Sequence, residues 1–186
     1  MAFFVRLYTG VFGFFEHLLA GWLIPTLARV LFAGVLLVFF LNSARTKLGD
    51  GLLGFIDLST GAYAQILPKK MEAVSYDPSM LSELDKVIVY AGTWGEIILP
   101  ILVVVGLFTR FAALGMIAFI AIMTYTDIVG HGATATTLGG WFDKGTPNTV
   151  ADVRPLWAFL MLVLVLRGPG PFSLDWLFGR SFRRHG

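Results

Sequence analysis

"TWGEIILPILVVVGLFTR", residues 93–110, decides the fold. With the apolar residues before it, this run reaches the roughly 20 predominantly apolar residues that a membrane-spanning helix needs. One carboxylic acid, Glu96, interrupts it. Counted from Val87, the outer end of the segment, Glu96 lies about nine residues deep, roughly 13 Å along a helix and near the bilayer midplane. An acid at that depth costs on the order of 2.5–3.5 kcal/mol on the insertion scale. It is therefore expected to face the interior of a bundle and to pair or keep its proton.

The rest of the chain agrees with a membrane protein. Of its 186 residues 56% are hydrophobic, and its mean hydropathy is +0.77, against roughly 45–50% apolar residues in ordinary soluble domains. Four segments approach spanning length: 22–42, 87–107, 111–130 and 150–167. The expected fold is an all-α membrane protein, a four-transmembrane-helix bundle forming one domain over residues 1–186, with both termini on one side. The fourth span is the shortest. Pro155 suits its first turn, and "RGPGP" at 167–171 cannot continue a helix.

Before the first span, Phe3, Leu7, Val11, Phe14, Leu18 and Trp22 recur at helical spacing opposite Arg6, Thr9, Gly13, Glu16 and Ala20. This predicts an N-terminal amphipathic interfacial helix over residues 1–21 rather than a span or a cleaved signal. A long loop, 43–86, separates spans one and two. Within it "LLGFIDLSTGAYAQIL", residues 52–67, is apolar enough to lie on the membrane or cover the bundle. Asp77 as a cap and Pro78 at a first helical position predict a helix that starts there and runs into span two. The Gly- and Thr-rich stretch 131–152 reads as an extramembrane connection or a small lid.

Composition excludes several functions. Cysteine is absent, which removes disulfides, thiolate metal sites, c-type haem attachment and dithiol exchange. A scattered formal charge of +2 gives no nucleic-acid surface. His17 belongs to the interfacial helix and His185 to the tail, leaving His131 near a span, so bis-histidine haem is not expected. No metal site is expected at Asp127 and His131, which lack further ligands, and no flavin, nucleotide-loop or triad motif occurs. Arg6, Arg29, Arg110, Arg167, Arg180, Arg183 and Arg184 fall on the side of the termini, against Arg45, Lys47, Lys69, Lys70, Lys86, Lys144 and Arg154 on the other. The compact tail cluster tips the termini toward the cytoplasm.

Arg29, a single cation in "LARVLFAGVLLVFF" (27–40), is the expected partner of Glu96, across an offset of about 8 Å. Two readings follow: a clamp that fixes helix register, or a pair that lines a ligand or proton site. Arg29 has a third option, reaching lipid headgroups from the inner end of its helix. A second group lies near the outer ends of spans three and four: Tyr125, Asp127, His131, Arg154 and Trp157. It reads either as the mouth of a cavity that Glu96 faces, binding a cofactor, or as a solvated network with aromatic-belt anchors.

Together these segments resemble the DoxX family of small four-helix membrane proteins. The resemblance is carried by Arg29 in "LARVLFAGVLLVFF", by Lys47 and Leu48 after span one, by "GEIILPILVVVGLFTRFAALG" (95–115) with Glu96, Gly106, Thr109 and Arg110, and by "LRGPGPFSLDWLFG" (166–179). It implies a multi-pass protein of the bacterial inner (plasma) membrane, related to subunits of quinol oxidation or thiosulfate:quinone oxidoreductase and to membrane partners of soluble redox proteins. It further implies Arg29 and Glu96 as a matching polar pair and "GPGPFSLD" as a structural turn.

Three functions follow. In the first, a redox-associated subunit of a quinone-linked oxidoreductase binds quinone or quinol between the helices, with Glu96 exchanging the proton and Arg29 tuning it; electrons come from a protein partner. In the second, the chain is a non-catalytic anchor or assembly subunit, in contact with lipid and with a partner or a second copy. The third is a small-solute or metal carrier, ranked last because no inverted repeat or broken-helix pair is visible.

Overall fold

A computed structural model describes residues 1–51, 53–142 and 149–182. Lys144, Arg183, Arg184 and His185, named above, lie outside the described residues. The fold among the described residues is helical. Helix α1 is Ala2–Leu19. The first span is continuous from α2 (Leu23–Phe32) through a π-helical turn at Ala33–Leu37 into α3 (Val38–Arg45). After α4 (Thr60–Ile66) and α5 (Pro68–Ala73) come the long helices α6 (Glu83–Val105) and α7 (Thr109–Tyr125), the latter extended by a π-helical turn at Thr126–Gly130. A short α8 (Ala135–Leu138) precedes a π-helical turn, Thr149–Val153, then α9 (Arg154–Arg167) and α10 (Leu174–Phe182).

The first span, α6, α7 and α9 form the bundle: α7 packs on α6 and α9, and the first span packs on the same two. The core between them is Ala28, Phe32, Leu36, Phe40, Val103, Ala112, Ala113, Met116, Met161 and Leu164. By length and composition four helices are apolar enough to cross a membrane: Ala2–Leu19, Leu23–Arg45, Glu83–Val105 and Thr109–Gly130. The helix expected as the fourth span forms and packs in the bundle but does not join that group; α9 proper has 14 residues, and the π-helical turn Thr149–Val153 leads directly into it. Helix α1 takes its place in the count. No residue of α1 is buried, and apolar side chains outside the expected stripe, Phe4, Tyr8, Phe12 and Phe15, are as exposed as those within it.

Local chemistry moves two expected boundaries. Pro78 opens only a 3-10 turn, Pro78–Met80, with Asp77 accepting from Ser79 N at 2.9 Å. The α-helix begins at Glu83 because Ser82 caps it: Ser82 Oγ accepts from Asp85 N (3.2 Å) and donates to Asp85 Oδ2 (2.7 Å), a reciprocal cap that holds the first turn. At the other end Gly106, with φ +70°, terminates α6 in the left-handed region, and the N–H groups of Gly106 and Leu107 both bond Leu102 O. Within α6, Pro100 has no N–H to give Glu96 O.

The long loop covers the bundle, one of its two expected arrangements. Leu58, Ala62, Tyr63, Met71 and Leu81 bury themselves against Val89 on the outer turns of α6. This second small core sits on top of the first, and Glu96 lies below it.

Candidate functional site

Glu96 is buried, its side chain 3% exposed, and its partner is Lys47 rather than Arg29. Lys47 Nζ lies 2.7 Å from Glu96 Oε2 and also donates to Ser43 Oγ (2.9 Å) and Ser43 O (3.3 Å). All three ammonium protons therefore have acceptors, the condition under which a buried charge pair is tolerated. Lys47 sits two residues past the end of α3 and folds its stem back along the last turn of the first span. Its flexible four-carbon chain lets a residue outside the helix place a charge inside the bundle.

Arg29 is engaged elsewhere, which corrects the expected pair. Its guanidinium donates to Val103 O (3.2 Å), Val104 O (2.6 Å), Pro169 O (3.3 Å) and Phe172 O (3.2 Å). The last turn of any helix leaves carbonyls without intrahelical donors, and a five-donor fork satisfies them. On α6 these carbonyls start seven residues beyond Glu96, roughly 10 Å along the axis. Arg29 is thus part of a clasp at the end of the bundle near the termini. There Asp175 accepts from Phe108 N, Thr109 N and Thr109 Oγ1, each at 2.8 Å, capping α7 from the tail. Ser173 Oγ accepts from Trp176 N at 3.1 Å and starts α10.

A cavity of about 310 Å³ opens from Glu96 toward the opposite end. Of the five residues expected at a mouth, Asp127, His131 and Arg154 line it. Arg154 pairs with Asp127 and donates to Thr124 Oγ1 at 3.1 Å. His131 Nε2 contacts Gln65 O at 3.1 Å, tying the rim to α4. Trp157 stands behind the wall, 5.3 Å from Phe39 and 6.1 Å from Phe40 between ring centroids. Tyr125 is exposed and does not line the cavity. Apolar walls come from Phe39, Ile66, Phe119 and Met123. Sequence reasoning missed Lys47, Ser43, Gln65 and Thr126 as lining residues. Lys47 was visible as one of two basic residues in "SARTK" and among the residues that carry the family resemblance, with no periodicity to mark it as inward-facing.

The cavity therefore holds two carboxylates and two cations, each bound to the other kind, among apolar walls and the polar Ser43, Gln65, Thr126 and His131. Among the described residues two buried side-chain polar atoms have no protein partner, Thr93 Oγ1, about one turn from Glu96, and Arg154 Nε, where buried polar groups are normally satisfied. Among the described residues no group of three or more His, Cys, Asp or Glu that could hold a metal ion occurs.

Comparison with known proteins supplies a family. The DoxX family model matches residues 24–132. The chain belongs to the DoxX family. The matched DoxX region contains Arg29, Lys47, Glu96, Asp127 and His131, so the buried ion pair and most of the cavity fall inside it, while Arg154 and the tail clasp lie beyond it. No curated protein and no solved structure matches the chain. Family and helices together make this a multi-pass membrane protein of the DoxX type, in contact with the lipid bilayer.

Proposed function

We propose that this DoxX protein is a redox-associated subunit of the bacterial inner membrane whose cavity binds the head group of a quinone or quinol. The observation that carries the reading is the cavity's composition: aromatic and aliphatic walls with charged hydrogen-bonding groups at its depth and at its rim. Ligand sites are largely apolar with a few placed polar groups, in chambers of about 300–1,000 Å³, and a flat ring with two oxygens suits that pattern. A quinone, when bound, supplies two-electron, two-proton chemistry. Lys47 Nζ exchanges its longest bond, to Ser43 O at 3.3 Å, for a ring oxygen, Arg154 donates at the rim, Phe39 and Phe119 flank the ring, and Glu96 holds or releases a proton at its carboxylate. Lys47 takes the tuning role that the sequence suggested for Arg29.

Purification from native membranes in mild detergent, with quinone extracted and quantified by mass spectrometry, tests the proposal. Wild type retains quinone well above the level carried by an unrelated membrane protein with the same lipid content. The Arg154→Met and Glu96→Gln variants lose about tenfold, equal to 1.4 kcal/mol of binding. Equal quinone in wild type and the unrelated control overturns the proposal.

A second reading, an anchor or assembly subunit, is favoured by α1, none of whose residues is buried within the chain. We place this helix in the membrane interface, where Arg6 and Glu16 reach headgroups and the phenylalanines enter the acyl region. Under this reading it also offers a face to a partner protein or a second copy. Partner proteins that copurify with the full chain and leave when 2–19 is deleted would carry that reading; the quinone measurement is independent of it. We assign the termini to the cytoplasm from the arginines near them.

A further inference from the structure

We infer that the Glu96 cavity communicates with one side of the membrane only, the face where Gln65, Thr126 and His131 stand, and that the bundle is sealed toward the face of the termini. The inference deepens the reading of this cavity as the functional site and rests on it. It assigns the side on which any proton or small polar solute reaches Glu96.

The lining residues run from a wet rim to a dry end. His131 and Gln65 at the rim are exposed, Asp127 is 34% exposed at its side chain, and Lys47 and Glu96 at the depth are 8% and 3% exposed. The charged and titratable groups lining the cavity are Lys47, Glu96, Asp127, Arg154 and His131, and all stand between its depth and that rim. A proton leaving the Glu96 carboxylate has hydrogen-bonding groups in this direction.

The other direction offers none. Beneath the cavity Phe40 packs edge-on to Phe119 at 6.0 Å and against Trp157 at 6.1 Å, and stacks with Phe32 at 6.3 Å between ring centroids. Below that aromatic layer Leu36, Val103, Met116, Met161 and Leu164 are at most 2% exposed. Residues 30–41, 97–105, 111–122 and 155–166, which fill this depth on the four helices, include no ionisable side chain. The next charged residues along these helices are Arg29, Arg110 and Arg167, with Asp175 of the tail beside them. A close-packed apolar layer of this kind excludes water and leaves a proton no acceptor.

The chain has no cysteine, so single-cysteine variants report accessibility without background. Ser43→Cys and Thr126→Cys place thiols on the cavity wall. Met80→Cys and Phe178→Cys, at exposed positions on opposite faces, identify each side independently of which one is cytoplasmic. Oriented and inverted vesicles are treated with a charged, membrane-impermeant methanethiosulfonate reagent, and modification is read by mass shift. The expected result is that both wall thiols react from the side that labels Met80→Cys and stay unmodified from the side that labels Phe178→Cys. Reaction from the Phe178→Cys side, or no reaction at either wall position while both reference thiols react, overturns the inference. Two wall positions protect the test against one variant failing to assemble. Labelling does not require quinone, so loss of the ligand proposal and loss of one-sided access give different results.

Discussion

Lys47 Nζ meets Glu96 Oε2 at 2.7 Å although Lys47 lies outside the first span and Glu96 lies well inside α6. The pair joins two pieces of the fold: the loop that covers the outer turns of α6, and the bundle beneath it. Its depth makes each charge dependent on the other, since both side chains are almost wholly buried.

Breaking the pair from one side leaves a buried charge without compensation, which costs about 3–5 kcal/mol. Lys47→Met and Glu96→Leu are each expected to lower thermal stability in detergent by that order. The double variant, which removes both charges and leaves apolar groups of similar volume, is expected to recover most of the loss. A double variant no more stable than either single one would show that the ion pair is not what couples these positions.

Arg29 acts on stability and not on the cavity. Its guanidinium holds carbonyls of α6 and of the 169–172 turn at once, and hydrogen bonds to a charged group contribute about 1.5–3 kcal/mol each. Arg29→Ala should destabilise by about 3 kcal/mol, and Arg29→Lys should regain only part of this, because a point charge cannot span four carbonyls as a planar fork does. The folded fraction of either variant should keep its wild-type quinone content. A drop in quinone per folded chain would connect the clasp to the site.

Gly106 and Gly13 should respond oppositely to alanine. At Gly106, φ is +70° and a Cβ would stand 2.5 Å from Ser173 Cβ and 2.9 Å from Arg29 Cζ, so Gly106→Ala must both strain the backbone and open the clasp. A loss well above about 1 kcal/mol is expected. Gly13 lies within α1 with nothing within 4 Å of its Cβ position, and Gly13→Ala should strengthen the helix by roughly 0.5–1 kcal/mol. Thermal unfolding separates the two for Gly106, and helix content of the isolated 1–21 peptide in vesicles reads the second.

Much of the bundle was legible because its signals are local. Apolar runs of spanning length located the first span, α6 and α7, and the glycine and prolines of "RGPGP" located the end of α9. Starts were less legible: Asp77 and Ser82 offer competing caps five residues apart, and Leu81 between them turns into the core beside Val89. Depth was legible in part. Counting residues put Glu96 inside the membrane, but the outer turns of α6 carry a protein cover, which a count along one helix does not register.

By itself the sequence determined the class of the protein, its family, the burial of Glu96 and the grouping of Asp127, His131 and Arg154 near one end. These follow from hydropathy, helix period and short spacing, which a chain carries in its own order. Only the tertiary structure decided that Lys47 holds Glu96, that Arg29 belongs to the opposite end, and that Tyr125 faces away from the cavity. A buried charge takes whichever partner packing brings within about 3 Å, and for residues 49 positions apart that distance is set by how four helices and a covering loop pack, which no local pattern records.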